Sequence, residues 1–190
     1  MTNQSFGAYG CYIDGAYREP IETFEVVDPA TDDSIATVAE GGADGVDRAL
    51  DAAETAQAEW TSIDPSERGR ILTDVADALR DHAEELAQLE TAETGRPISQ
   101  SRLFVTNAAK YFDYYGGLTD KIEGETIPIG EGYLDYTRLE PLGITGQIIP
   151  WNVPSLLSLR GIAPAIACGN AVVAKPSPEA PLTVLEMNRI

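Results

Sequence analysis

Ile144-Thr145-Gly146-Gln147-Ile148-Ile149 leads into Pro150-Trp151-Asn152-Val153-Pro154, and after a longer apolar interval comes Ala171-Val172-Val173-Ala174-Lys175. The first run, at 144–149, reads as a short buried strand. Pro154 has the fixed φ that suits the first position of a helix, and the helical pattern runs to Ala167, where Gly169-Asn170 closes it. A second buried strand follows at 171–174. Pro176-Ser177-Pro178 stops it, and Ser177 is expected to cap a further helix opening at Pro178. Two short apolar strands joined by a helical crossover pair in parallel, so this order predicts an α/β domain.

Upstream, residues 12–38 read as short strands and turns, with Asp14-Gly15, Asp28-Pro29 and Asp32-Asp33 as turn signals. From Asp44 the period becomes helical. Val46, Leu50, Ala53, Gln57 and Trp60 are expected on one face. Asp64 caps the next helix, Pro65 takes its first position, and Glu67 has capping-box spacing. Ile71, Leu72, Val75 and Leu79 form its buried stripe. Leu86 and Leu89 extend the pattern to Gly95, with Pro97 beyond. A third helix carries Val105, Ala108, Ala109, Phe112 and Tyr115 and stops at Gly116-Gly117; Phe112, Tyr114 and Tyr115 are read as core. Residues 123–129 and 133–140 flank Gly130-Glu131-Gly132 as a β-hairpin, which in isolation is marginal in water and calls for a partner surface.

The chain has 190 residues, 43% of them hydrophobic, enough for a packed core. Its 31 acidic and 13 basic residues leave a formal charge of −18. That sign disfavours nucleic acid and anionic membranes as partners. The acids are spread among apolar residues, as on a solvated surface adapted to high salt, and only Lys110, Lys121 and Lys175 are lysines. Two cysteines, Cys11 and Cys168, suggest no disulfide framework and suit a reducing cytosol. The first nine residues carry no signal-peptide pattern, and no apolar run reaches membrane length; the expectation is a cytoplasmic protein.

Residues 141–175 contain no Asp or Glu, and only Arg160 and Lys175 are charged. In so acidic a chain, such a segment is buried, faces an anionic ligand, or both. Lys175 stands at the carboxyl end of a predicted parallel strand, where open α/β sheets bind ligands. It either contacts a nucleotide's ribose or phosphate, or is a snorkelling lysine at a strand end. Asn152 stands between the other strand and its helix. Its amide donates without carrying charge, which suits an oxyanion; an ordinary helix cap is the other reading.

The whole string resembles the aldehyde dehydrogenase superfamily. Leu139-Glu140-Pro141-Leu142-Gly143-Ile144, Gly146 through Pro154, Ala163-Pro164-Ala165, and Gly169 through Ser177 carry the likeness. It extends upstream in Val27-Asp28-Pro29-Ala30-Thr31, Arg68-Gly69-Arg70-Ile71-Leu72 and Glu93-Thr94-Gly95-Arg96-Pro97, and so covers nearly the whole chain.

The resemblance implies an oxidoreductase that converts an aldehyde to a carboxylic acid, with NAD or NADP as hydride acceptor, through a cysteine thiohemiacetal and thioester. Asn152 is then the oxyanion donor. Ile148, Ile149, Pro150, Trp151, Lys175, Ser177 and Pro178 are the cofactor-binding set. The family often has a glutamate three residues after the lysine; here Pro178 takes that place and Glu179 follows, which leaves NAD against NADP open. The implied architecture is α/β: a partial Rossmann-like parallel-sheet cofactor domain with N-terminal helices and a protruding β-hairpin arm. Residues 1–122 form its first part, 123–141 the oligomerisation arm, and 142–190 its continuation, short of the catalytic domain. A homodimer or homotetramer is expected of the whole protein.

Neither cysteine suits the nucleophile. Cys11 falls in the strand region, and Cys168, beside Gly169, reads as a small buried residue. The family's nucleophile and its glutamate base lie further along, so these 190 residues alone are expected to be inactive. His82 sits on a polar helix as a solvated side chain, and no metal-ligand cluster is seen. Two other classes remain at this level: a short paralogue acting only as a nucleotide-binding or subunit-interaction module, and an unrelated acidic α/β protein.

Overall fold

The computed structural model describes residues 5–19 and 22–190; Pro20 and Ile21, within the predicted strand region, lie outside the described residues. Five short strands come first: β1 (Gly7–Tyr9), β2 (Cys11–Ile13), β3 (Ala16–Arg18), β4 (Glu22–Val27) and β5 (Ser34–Glu40). Asp14 and Gly15 both have positive φ, 53° and 70°, the backbone of a tight hairpin turn between the antiparallel β2 and β3. The other three strands form a sheet in the order β1-β5-β4, with β1 parallel and β4 antiparallel to β5.

Four helices follow: α1 (Gly42–Ser62), α2 (Pro65–Asp81), α3 (Ala83–Thr94) and α4 (Ile98–Gly116). Asp64 caps α2, accepting the Ser66 N–H at 2.9 Å, while Glu67 pairs with Arg70. Gly95, at φ 71°, ends α3 through its N–H to Thr91. His82 is the joint between α2 and α3; it is half-buried and its Nδ1 lies 2.8 Å from the Ala78 carbonyl, so it is not a freely solvated side chain.

The main core joins Leu72 and Leu79 of α2, Leu86 of α3, and Val105 and Phe112 of α4 to residues of the C-terminal half. Each such side chain contributes about 1.5–3 kcal/mol by leaving water. Where α2 crosses α4 the backbones touch: a Cβ on Gly69 would lie 2.5 Å from the Gly116 carbonyl oxygen. A second core, under the β1-β5-β4 sheet, contains Val26, Ile35, Ala36 and Val38 with Leu89 of α3. Helix α3 therefore serves both cores.

Two expectations about the helices do not hold. Val46 and Leu50 are exposed, and only Ala53, Gln57 and Trp60 of that row turn inward. Tyr114 is 63% exposed, whereas Phe112 is buried and Tyr115 packs at the edge of the core.

The hairpin is present as β6 (Thr126–Ile127) and β7 (Asp135–Tyr136), an antiparallel ladder far shorter than the alternation predicted. Its Ile127, Ile129, Tyr133, Leu134 and Tyr136 are all exposed. Then come β8 (Ile144–Ile148), α5 (Pro154–Ala167) and β9 (Ala171–Lys175), with β8 and β9 paired in parallel from Ile144↔Ala171 to Ile148↔Lys175. Helices α1 and α5 both pack on this pair. The strands are half-buried rather than buried, because the pair stands as a two-stranded sheet.

The last helix, α6 (Leu182–Arg189), begins later than Ser177 predicts. Residues 178–180 form a turn, closed by the Ala180 N–H to the Ser177 carbonyl, and Ser177 Oγ donates to Glu179 instead of capping a helix.

Candidate functional site

The parallel pairing places Ile148 directly beside Lys175, at the carboxyl ends of both strands. The ladder continues one step further, with the Ile149 N–H donating to the Lys175 carbonyl at 3.0 Å. The two isoleucines face opposite ways, as strand alternation requires. Ile149 is in the core, while Ile148 is 87% exposed. Pro150, Trp151 and Asn152 are exposed beyond it, and Lys175 is exposed across from them, its Nζ 3.4 Å from the Pro176 carbonyl. Of the predicted set, Ile148, Pro150, Trp151, Asn152 and Lys175 thus share one open strand end. Ile149 contributes backbone only.

Ser177, Pro178 and Glu179 follow in the turn after β9. Glu179 sits below the usual carboxylate range, chiefly because Ser177 donates to it and also because Lys175 is near. This acid lies four residues past Lys175, on a turn, with Pro178 at the third position.

Asn152 does not cap α5. The cap position belongs to Val153, φ −151° and ψ 69°, which makes no side-chain cap bond. The first-turn N–H of Ser155 is accepted instead by Glu90 of α3, at 3.1 Å. The Asn152 side-chain amide has no partner among the described residues, while its backbone carbonyl accepts from Arg96.

Glu90 and Arg96 are the residues that sequence reading missed. Glu90 is fully buried, Arg96 nearly so, and they form an ion pair at 3.2 Å. Burial pushes the Glu90 carboxyl up, against the lowering effect of Ser155 and Arg96. One turn along α3, Glu93 is buried too and accepts the N–H groups of Leu182 and Thr183, at 2.7 and 3.0 Å. Two carboxylates on one face of α3 therefore cap two helices, α5 and α6, where N-terminal dipoles favour negative charge. The signal was spacing: acids three apart in a helix whose neighbouring Leu86 and Leu89 are core.

Cys168 is exposed, not buried as predicted, and ends α5 opposite to Asn152. A 14-residue helix separates them, about 21 Å at 1.5 Å per residue. Cys11 lies on β2 next to Gly41, its thiol pushed up by burial.

The description "Aldehyde dehydrogenase family" belongs to a family model that matches residues 17–190. The chain belongs to the aldehyde dehydrogenase family. Solved members agree. The NAD+ complex of aldehyde dehydrogenase from Bacillus cereus is 38% identical, with TM-score 0.92, over 95% of this chain and 38% of that one. PnpE from Pseudomonas sp. WBC-3 is 41% identical, TM-score 0.92, with the same coverage of both chains, and has also been solved in complex with nicotinamide adenine dinucleotide. An aldehyde dehydrogenase from Brucella melitensis biovar abortus 2308 is 29% identical, also at TM-score 0.92. The chain spans 38% of the length of each of these three aldehyde dehydrogenase family structures.

Proposed function

We propose that this chain is the cofactor-side portion of a dehydrogenase that oxidises an aldehyde to a carboxylic acid with NAD or NADP. The observation that carries this reading is the free amide of Asn152 at the carboxyl end of β8, with α5 capped from elsewhere. A helix start that needed Asn152 as its cap would tie its side-chain oxygen to the first turn and fix the amide there.

The donor set suits a dinucleotide. Ile148, Pro150 and Trp151 give an apolar strip for an adenine or ribose face, and Lys175 supplies the cation opposite. Ser177 and the turn at Pro178 border the strip, and no carboxylate occurs between residues 141 and 175 to repel phosphate. NAD or NADP supplies hydride acceptance when bound. Asn152 donates its side-chain N–H to the aldehyde oxygen as that oxygen gains charge under attack by a cysteine thiolate. The attacking cysteine belongs to polypeptide beyond these residues in this reading, since Cys168 is a helix length away and Cys11 lies on β2 beside Gly41. The 190 residues alone are then without dehydrogenase activity.

The hairpin at 123–141 is an intersubunit arm in this reading, its exposed Tyr133 and Leu134 covered in a homodimer or homotetramer. The free cysteines and acidic surface suit the reducing cytoplasm of a salt-adapted cell.

Titrating the purified chain and its Trp151→Phe variant with NAD and with NADP, while following tryptophan emission, tests the cofactor half, because Trp60 also emits. Saturable quenching is expected, and its absence with both nucleotides rejects the assignment of the strip. Aldehyde-dependent NAD(P)H formation by a polypeptide containing this sequence tests the reaction.

A further inference from the structure

Asn152 is held from behind by the corner between α3 and α4. We propose that Glu90 and Arg96 are positioning residues, which fix the 150–155 turn so that the Asn152 amide points at the reacting oxygen. This inference rests on the oxyanion role of Asn152 given above.

Arg96 has almost no freedom. Its Nε donates to Thr94 Oγ1 at 3.1 Å, one terminal nitrogen pairs with Glu90 at 3.2 Å, and the guanidinium lies 4.9 Å from the Phe104 ring centre. The other terminal nitrogen donates to the Asn152 carbonyl. A planar guanidinium engaged on its edge and its face is a rigid donor. Gly95, in the left-handed region at φ 71°, turns the chain back after α3 and delivers Arg96 to this place.

Glu90 completes the clamp with its second oxygen, which accepts the Ser155 N–H at 3.1 Å. The carbonyl of residue 152 and the N–H of residue 155 bracket the turn. A single buried ion pair holds both, and it leaves the Asn152 side chain uncommitted. A clamp on the main chain with a free amide is what an oxyanion donor requires, because a misplacement of about 1 Å lowers rate by about 10²-fold.

The test is a double-mutant cycle in the dehydrogenase that carries this sequence, with propanal and NAD. Arg96→Met is expected to lower kcat about 10- to 100-fold and to change the aldehyde KM less than about 3-fold. Arg96→Lys restores part of the loss. The double variant Asn152→Ala/Arg96→Met is expected to be about as slow as Asn152→Ala alone, since a donor already removed cannot be misplaced. Losses that multiply, or full turnover in Arg96→Met, overturn the proposal. Should Arg96→Met not fold, Glu90→Gln carries the same cycle, because it keeps shape and one acceptor while breaking the ion pair. Wild-type turnover in Asn152→Ala removes the oxyanion assignment and the positioning role together. A slow Asn152→Ala beside a fast Arg96→Met removes the positioning role alone.

Discussion

The Glu93 carboxylate accepts the backbone N–H of Leu182 at 2.7 Å across 89 residues of sequence. It is wholly buried, and burial lifts its pKa to about 7 in spite of the N–H donors from Thr183 and Leu182. Above its unfolded value near 4.5, the folded chain holds a proton that the unfolded chain has lost. Stability attributable to this group is therefore greatest at low pH and falls as pH rises from about 4.5 to about 7, on the order of 1 kcal/mol per pH unit, then levels off. Denaturant melts of the wild type and Glu93→Gln at pH 5, 6, 7 and 8 check this. The wild type should lose stability relative to the variant between pH 5 and 7. Parallel curves would remove the titration from Glu93.

Asn152→Ala should lower kcat of the complete dehydrogenase about 10²- to 10³-fold, as expected for one missing oxyanion donor. Asn152→Asp should be slower still, because a carboxylate there repels the developing charge. A single-turnover NADH burst measured with both variants separates them, and an aspartate variant faster than alanine contradicts the role.

Much of this architecture is legible locally. The Asp14-Gly15 turn, the Asp64-Pro65 helix start, the Gly95 stop and the parallel strands on either side of α5 all follow from residues adjacent in sequence. The failures at the helix starts share one cause. Helix α6 takes its cap from Glu93 in another helix, so Ser177 was a plausible local signal with no part in it. Glu90 and Glu93 look like two more surface acids in an acidic chain until Ser155, Leu182 and Thr183 are brought against them. The site divides in the same way. Asn152 and Lys175 stand out by type and place, whereas the Arg96 contact joins positions 56 apart.

Gly69→Ala should destabilise the chain by about 1–3 kcal/mol, as overpacking does, although the same change in an open helix gains about 1 kcal/mol. The added methyl meets the Gly116 carbonyl oxygen at 2.5 Å and Thr119 Oγ1 at 2.7 Å, and the carbonyl is main chain that cannot swing aside. Urea melts decide the sign; a stabilised variant shows that α2 and α4 can separate freely.

Cys168→Ser should leave aldehyde oxidation unchanged. The thiol is exposed at the far end of α5. Loss of the acyl-enzyme step in Cys168→Ser would make it the nucleophile and reverse the reading of the helix.

The formal charge of −18 predicts a melting temperature that climbs as NaCl rises from 0.05 to 2 M, since added ions screen self-repulsion. A flat response would mean that the excess acids lie too far apart to repel one another appreciably.

Because Glu90 and Glu93 of α3 take N–H donors from Ser155, Leu182 and Thr183, these acids have their full set of partners only once those later residues are made. A nascent chain that stops short of residue 183 has two carboxylates to bury and too few N–H groups to meet them. Such a chain is expected to hold Leu86 and Leu89 less firmly in the core. Helix α3 thus depends, for the partners of its buried acids, on segments made after it.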